Sequence, residues 1–380
     1  MRAAVLVDVG RMELREVARP IPGPRDVLLH VRAVGLCGTD LHIFAGQANY
    51  SRDERGATIP LAVRPQILGH EIVGIVEAVG ADVRDLTAGD RVVVDQGRSC
   101  VSEARTPRCE YCATGDSHQC EHYTEHGITG LQGGLAECLV IPAVNAIRVS
   151  DDVDDVGAAL TEPLGCVVHA TDTLLRTPAR YTVCGGAPSQ RVRTALVCGA
   201  GPAGLLFVQY LRNVVGFDGM LLVSDPNARK RALAERFGAE TIDSSCVDVA
   251  AAVRERTAGR RVELLVDASG AGAVFAAIPS LLRKQGTLLL YGHGHAGTDL
   301  SVLNGVQFLE PALISTVGAS GGFAPDGRPT TYARALDLIA RGTIEAASLV
   351  THRYASLDDV PRAFGADHGA PDYVKGVIVI

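Results

Sequence analysis

Between residues 194 and 212 a strand, a glycine turn and a helix follow one another without a break. The apolar run Thr194–Cys198 leads into Gly199-Ala200-Gly201-Pro202-Ala203-Gly204, and a helical stretch occupies 205–212. Few short segments restrict a fold so tightly. Glycine at these places permits the tight turn, lets backbone N–H groups approach a pyrophosphate and allows the helix to pack closely on its strand, while the helix start offers partial positive charge. The hexapeptide alone is weak evidence. It gains weight from Asp225, 21 residues after Gly204 at the end of the next apolar run, where a carboxylate can hold both ribose hydroxyls of a dinucleotide. The expected cofactor site comprises Gly199, Gly201, Pro202, Ala203, Gly204 and Asp225. Because a carboxylate there repels the 2′-phosphate of NADP, NAD is the expected cofactor. Arg229 and Lys230 qualify that reading, since they can face adenosine or a phosphate, or simply stand exposed at a helix start. A turn without any cofactor is the bland alternative.

The surrounding pattern agrees with an α/β class. Apolar strands at 195–198, 220–224, 263–268 and 287–291 alternate with helical segments, which predicts a Rossmann doubly wound parallel sheet. Before residue 149 the texture differs: short β-rich runs at 27–34, 72–79, 91–94 and 136–141 are separated by Gly, Pro and Asp, as in a mostly antiparallel, partly barrel-like domain. The acidic stretch 151–155 reads as a solvated boundary and helix N-terminus rather than a metal cluster. Residues 375–380 form an apolar run suited to a closing strand that rejoins the first domain. A chain of 380 residues is long enough for two cores. The expected division is 1–165 with 309–380 as one domain and 166–308 as the other.

A formal net charge of -7 without basic runs argues against nucleic acid or an anionic membrane as partner and favours a small molecule. The N-terminal apolar run is too short for a signal peptide, and the uncharged stretch 194–211 is broken by its glycines, so no membrane span is expected. Ten cysteines in such a chain suit metal ligands and buried small hydrophobes better than disulfides, which places the protein in the cytoplasm.

Cys37-Gly38-Thr39-Asp40-Leu41-His42, Gly69-His70-Glu71 and Glu162 supply thiolate, imidazole and carboxylate outside the nucleotide-binding part. A Cys, a His and a carboxylate with one open position suit catalytic zinc. Singly, Cys37 reads as a buried small hydrophobe, His70 as a satisfied core histidine and Glu162 as a helix-start carboxylate.

Together with 65–80, Gly89-Asp90-Arg91-Val92, Gly134-Leu135-Ala136-Glu137 and Glu162-Pro163-Leu164, these motifs resemble the zinc-containing medium-chain dehydrogenase family over almost the whole chain. The similarity is greatest to its threonine, sorbitol and polyol dehydrogenase branches. The resemblance implies a GroES-like catalytic domain with Cys37, His70 and Glu162 as catalytic zinc ligands and Glu71 as a second carboxylate able to replace one of them. It also implies a proton relay through Thr39 and His42. Zinc acts there as a Lewis acid on a substrate hydroxyl. The expected reaction carries a hydride from the secondary alcohol of a polyol, cyclitol or sugar to NAD. L-Threonine or another amino alcohol, and an aldose at its anomeric carbon, are alternatives. So are a non-catalytic NAD- and zinc-binding relative and a zinc-free reductase. Related enzymes are homo-oligomers, with a tetramer expected here and a dimer next.

Cys109, Cys112 and Cys120 match the last three ligands of the family's structural zinc lobe, whose usual first cysteine is Thr106 here. Cys100 is the expected fourth ligand, with Glu103, His118 or an empty lobe as alternatives. Cys138, Cys166, Cys184, Cys198 and Cys246 are expected to be buried and inert. The segment 179–193 is an insertion, bland or else placed at an interface or the rim of the active site. His293 and His295 either face a ligand or lie on a solvent-facing turn.

Overall fold

The computed structural model describes residues 1–295 and 297–380. The chain divides into two compact units, Met1–Gly165 with Ala319–Ile380, and Cys166–Gly318.

In the second unit, apolar runs that are buried on both faces pair in parallel, as continuous hydrophobic strands covered by helices do. Thr194–Cys198 and Val262–Asp267 are buried throughout, and Met220–Asp225 beyond its first residue. From edge to edge the strands run Glu240–Asp243, Met220–Asp225, Thr194–Cys198, Val262–Asp267, Leu282–Leu290 and Ala312–Ser315, all parallel. Helices Pro202–Asn213, Ala228–Arg236, Val249–Arg256 and Gly272–Leu281 make crossovers between them. This is the doubly wound Rossmann order. It reverses beside Thr194–Cys198, so the C-terminal ends of that strand and of Val262–Asp267 form the switch point at which such sheets take ligands.

The sheet reaches further than the sequence suggests. Ala312–Ser315 pairs with Leu282–Leu290, and the unit runs to Gly318 where the sequence places the return at 309. Four residues of mixed burial carry no periodic signal, and only their pairing assigns them. The inserted segment 179–193 also belongs here. Thr182 bridges Arg191, and buried Tyr181, Val183 and Val192 root the loop. It feeds the N-terminal end of Thr194–Cys198, so it lies at the opposite end of that strand from the glycine turn.

The first unit is a β structure built on one long strand, Asp26–Gly35. Glu71–Val79 pairs along one side of it; Cys138–Pro142 pairs with the start of its other side and Gly376–Val379 with the end, all antiparallel. The closing strand, at the end of the sequence, thereby joins a strand near its beginning. Arg2–Asp8 pairs separately with Arg11–Glu16 and Gln66–Ile67. Leu29, Val31, Val34, Ile72, Val92, Leu135 and Ile378 fill the core between the sheets. In the acidic stretch, Asp154 caps helix Asp155–Ala158 by accepting from the Gly157 N–H at 2.6 Å, and Asp155 meets Arg91 at 3.3 Å.

Among the described residues no helix is long and apolar enough to cross a membrane. All ten cysteines are free. Cys138, Cys166 and Cys198 are buried as expected, but Cys184 and Cys246 are exposed. Both lie in loops, Cys184 in the insertion and Cys246 after Glu240–Asp243, where apolar neighbours in sequence do not amount to a core.

Candidate active site

The register of the first unit gathers the chemistry-bearing side chains. Gly35 lies opposite Glu71 on one side and Val377 on the other, and a Cβ on Gly35 would stand 2.0 Å from Glu71 Oε2. Glycine at that position is what admits the Glu71 carboxylate. Two residues later Cys37 begins helix Gly38–Phe44. The ligand atoms of Cys37, His70 and Glu71 all lie within 4.8 Å of one another.

Asp40 braces this group. Its Oδ2 accepts from the Cys37 N–H at 2.9 Å and its Oδ1 from the Gly69 N–H at 3.1 Å, and Oδ1 stands 3.3 Å from His70 Nδ1. Burial pulls the His70 imidazole down, but the charges of Asp40 and Cys37 outweigh it and hold its pKa well above the ordinary range. Glu71 is fully buried. Its Oε1 accepts from Lys375 Nζ at 2.5 Å, while Oε2 is enclosed without a hydrogen-bond partner. Burial lowers Lys375, yet Glu71 and Cys37 together raise it, so the pair is ionic. A buried pocket with a thiol, an imidazole and an unpartnered carboxylate oxygen fits a divalent metal of zinc's preferences.

Glu162 stands outside that set. It is buried in the first turn of helix Thr161–Arg176, and its Oε1 accepts from Gln96 Nε2 at 3.2 Å. It remains close enough for its charge to act on Lys375. Thr39 and His42, three residues apart on helix Gly38–Phe44, are both half-buried and share one face of the helix.

Cys100 joins Cys109, Cys112 and Cys120, their sulfurs all within 4.8 Å. Cys120 Sγ lies 3.7 Å from Cys100 Sγ and 3.8 Å from Cys109 Sγ. A tetrahedral zinc with Zn–S bonds of about 2.3 Å has an edge of roughly 3.8 Å, so these four thiols fit that ion. Backbone N–H groups of Cys112 and Glu121 bring the Cys109 thiol down to about 7. The alternative ligands are otherwise engaged: Glu103 pairs with Arg98, and His118 meets Asp95 at 3.2 Å while accepting from the Ala319 N–H at 3.0 Å.

At the glycine turn, Gly199 has φ +96°, and a Cβ on Gly204 would stand 1.9 Å from the Gly199 carbonyl oxygen. Helix Pro202–Asn213 begins with no side-chain cap at Gly201, and a Cβ there would meet nothing within 4 Å, leaving room beside the first turn for a phosphate. Asp225 accepts from the N–H groups of Ala200 and Asn227, each at 2.7 Å, and keeps lone pairs for a ligand. Arg229 is exposed and Lys230 half-buried. The adjacent Arg231 is structural, pairing with Asp243 at 2.6 Å. His295 is half-buried, with Nε2 2.7 Å from Asp267 Oδ2; His293 is exposed.

Asp40, Lys375 and Gln96 lie outside the residues that the sequence singles out. Asp40 carried a faint signal as an acid three residues into a helix. The other two depend on pairing between remote segments.

The sequence model of the alcohol dehydrogenase GroES-like domain matches residues 23–151, and that of the zinc-binding dehydrogenase matches residues 202–341. The chain is 28% identical to a sorbitol dehydrogenase of Arabidopsis thaliana, covering 98% of this chain and 93% of that protein. It is 30% identical to an L-galactonate-5-dehydrogenase of Escherichia coli, covering 88% and 86%. A zinc-binding dehydrogenase of Sinorhizobium meliloti, solved bound to NADP, superposes with a TM-score of 0.80 at 29% identity, covering 100% of this chain and 99% of that one.

Proposed function

Because the chain belongs to the zinc-containing medium-chain dehydrogenase family, we propose that it oxidises the secondary alcohol of a polyol, cyclitol or sugar to a ketone, with NAD as hydride acceptor. One observation carries this reading: the ligand atoms of Cys37, His70 and Glu71 lie within 4.8 Å of one another, and Glu71 keeps an enclosed oxygen without a hydrogen-bond partner. When bound, zinc supplies the Lewis acidity that lowers the pKa of an alcohol, and nicotinamide supplies the hydride acceptor.

Cys37 and His70 hold the metal together with a glutamate. Glu162 is the ligand that the family pattern implies, and Glu71 is the carboxylate already within reach of the other two. Thr39 Oγ1 accepts the proton of the substrate hydroxyl as its own hydroxyl proton moves on towards the nicotinamide ribose, and the His42 ring takes the proton at the end of that relay and releases it to solvent, a role that suits imidazole near neutrality. Cys100, Cys109, Cys112 and Cys120 hold a second, structural zinc. Asp225 favours NAD: its carboxylate is fixed by two backbone donors where it would meet the 2′-phosphate of NADP. The free thiols support a cytoplasmic location. A homo-oligomer is supported by the open edge strand Ala312–Ser315, beside which Phe308, Leu313 and Val317 are exposed; such an edge pairs readily with a second copy.

The test is NADH formation by purified protein with polyols, cyclitols, aldoses and L-threonine, alongside zinc analysis. Expected are two zinc ions per chain and turnover that is lost in Glu162→Ala with folding intact. Well-folded, metal-replete protein that contains no catalytic zinc would sink the proposal.

A further inference from the structure

Gln96 is buried, and its carboxamide has a fixed orientation. The Tyr332 hydroxyl donates to Oε1, so both N–H bonds of Nε2 are left for acceptors. Those acceptors are two carboxylates: Glu162 Oε1 at 3.2 Å and Glu125 Oε1 at 3.5 Å. One amide nitrogen thus ties the carboxylate proposed for the metal to a second one. Glu125 Oε1 also accepts from the Tyr123 hydroxyl at 2.9 Å. Its Oε2 takes no hydrogen bond among the described residues and is not enclosed, and the residue is half-buried. No described Lys, Arg or His forms an ion pair with it; its hydrogen-bond donors are neutral, and its charge reaches the His118 imidazole only through space. A carboxylate hydrogen-bonded by neutral groups, one amide away from the carboxylate proposed for the metal, has acceptor capacity that the fold itself does not use.

We propose that Glu125 determines specificity: its Oε2 receives a hydroxyl next to the carbinol carbon, and its charge turns away alcohols that carry a carboxylate or phosphate. The substrate is then a neutral polyhydroxy compound rather than a sugar acid. This rests on the reading that the reaction takes place at the Cys37–His70 centre. By giving each carboxylate a donor, Gln96 offsets the repulsion between Glu125 and Glu162 and fixes where each one lies.

The experiment compares neutral polyols with the corresponding aldonates, by kcat and KM and by calorimetric titration of the NAD-loaded, zinc-replete protein, in wild type and Glu125→Gln. The wild type is expected to bind polyols more tightly than aldonates. Glu125→Gln keeps the shape and the Tyr123 contact; it is expected to raise KM for polyols about tenfold, the effect of weakening one charge-assisted hydrogen bond, with a smaller change in kcat. The ratio of polyol to aldonate binding should fall as well. A merely structural role would not move that ratio. Tighter binding of aldonates, an unchanged ratio in Glu125→Gln, or no titratable binding of any neutral polyol overturns the inference. Charge discrimination without turnover or zinc would defeat the dehydrogenase reading alone, and turnover without discrimination would defeat this one alone.

Discussion

Asp40 reaches the backbone on both sides of the metal pocket and also faces His70 Nδ1. A carboxylate behind a ligating imidazole fixes the ring and raises its basicity. Asp40→Asn should therefore weaken zinc binding by about 10- to 100-fold, read by competition with a chromogenic chelator. The same charges give a pH dependence. His70 must shed its proton to bind metal, and its pKa is raised, so zinc affinity should rise with pH through the neutral range and level off once the ring is neutral. In the zinc-free protein the sign reverses for stability: a raised pKa adds stability below the unfolded value, and this is lost as pH climbs through the folded one. Lys375 is the other half of the balance. Lys375→Met leaves Glu71 charged and buried, a loss of about 3–5 kcal/mol in denaturant unfolding of zinc-free protein, and adding Glu71→Gln should recover much of it.

At the level of elements, the glycine turn and the cysteine lobe act as separable devices. Asp225→Ser removes the anion that disfavours a 2′-phosphate beside Arg229 and Lys230. The preference for NAD over NADP, measured as a ratio of kcat/KM values, should fall at least about tenfold, which corresponds to roughly 1.4 kcal/mol. Cys100→Ser should take zinc content from two ions per chain to one and lower Tm, since a closed four-ligand site stabilises without taking part in chemistry. The glycine turn and the alternating strands were legible because local geometry alone demands those residues. The fourth thiol was harder to assign, because the excursion between Cys100 and Cys109 hides the spacing that normally identifies such a lobe. Least legible were Lys375 opposite Glu71, the Gln96 amide between Glu125 and Glu162, and the edge strand Ala312–Ser315. Each depends on pairing between distant segments, which no local pattern encodes.

On the scale of the molecule, the edge of the parallel sheet bears most directly on assembly. Phe308 is 83% exposed, and Leu313 and Val317 are each 50% exposed, beside unpaired backbone groups. Sedimentation should show an oligomer that Leu313→Lys shifts towards monomer with the circular dichroism spectrum unchanged; a monomeric wild type would refute the assembly. The first unit carries a different consequence, because the second is inserted in the middle of it. Residues 166–318 are continuous and can fold as soon as they leave the ribosome, whereas Asp26–Gly35, made much earlier, keeps part of one side open until Gly376–Val379 arrives to pair with it. The cation that balances Glu71 arrives at the same moment, with Lys375. During synthesis the pocket proposed for the metal is therefore an uncompensated anionic cleft, and its completion coincides with the closing of the sheet rather than with the appearance of Cys37, His70 and Glu71.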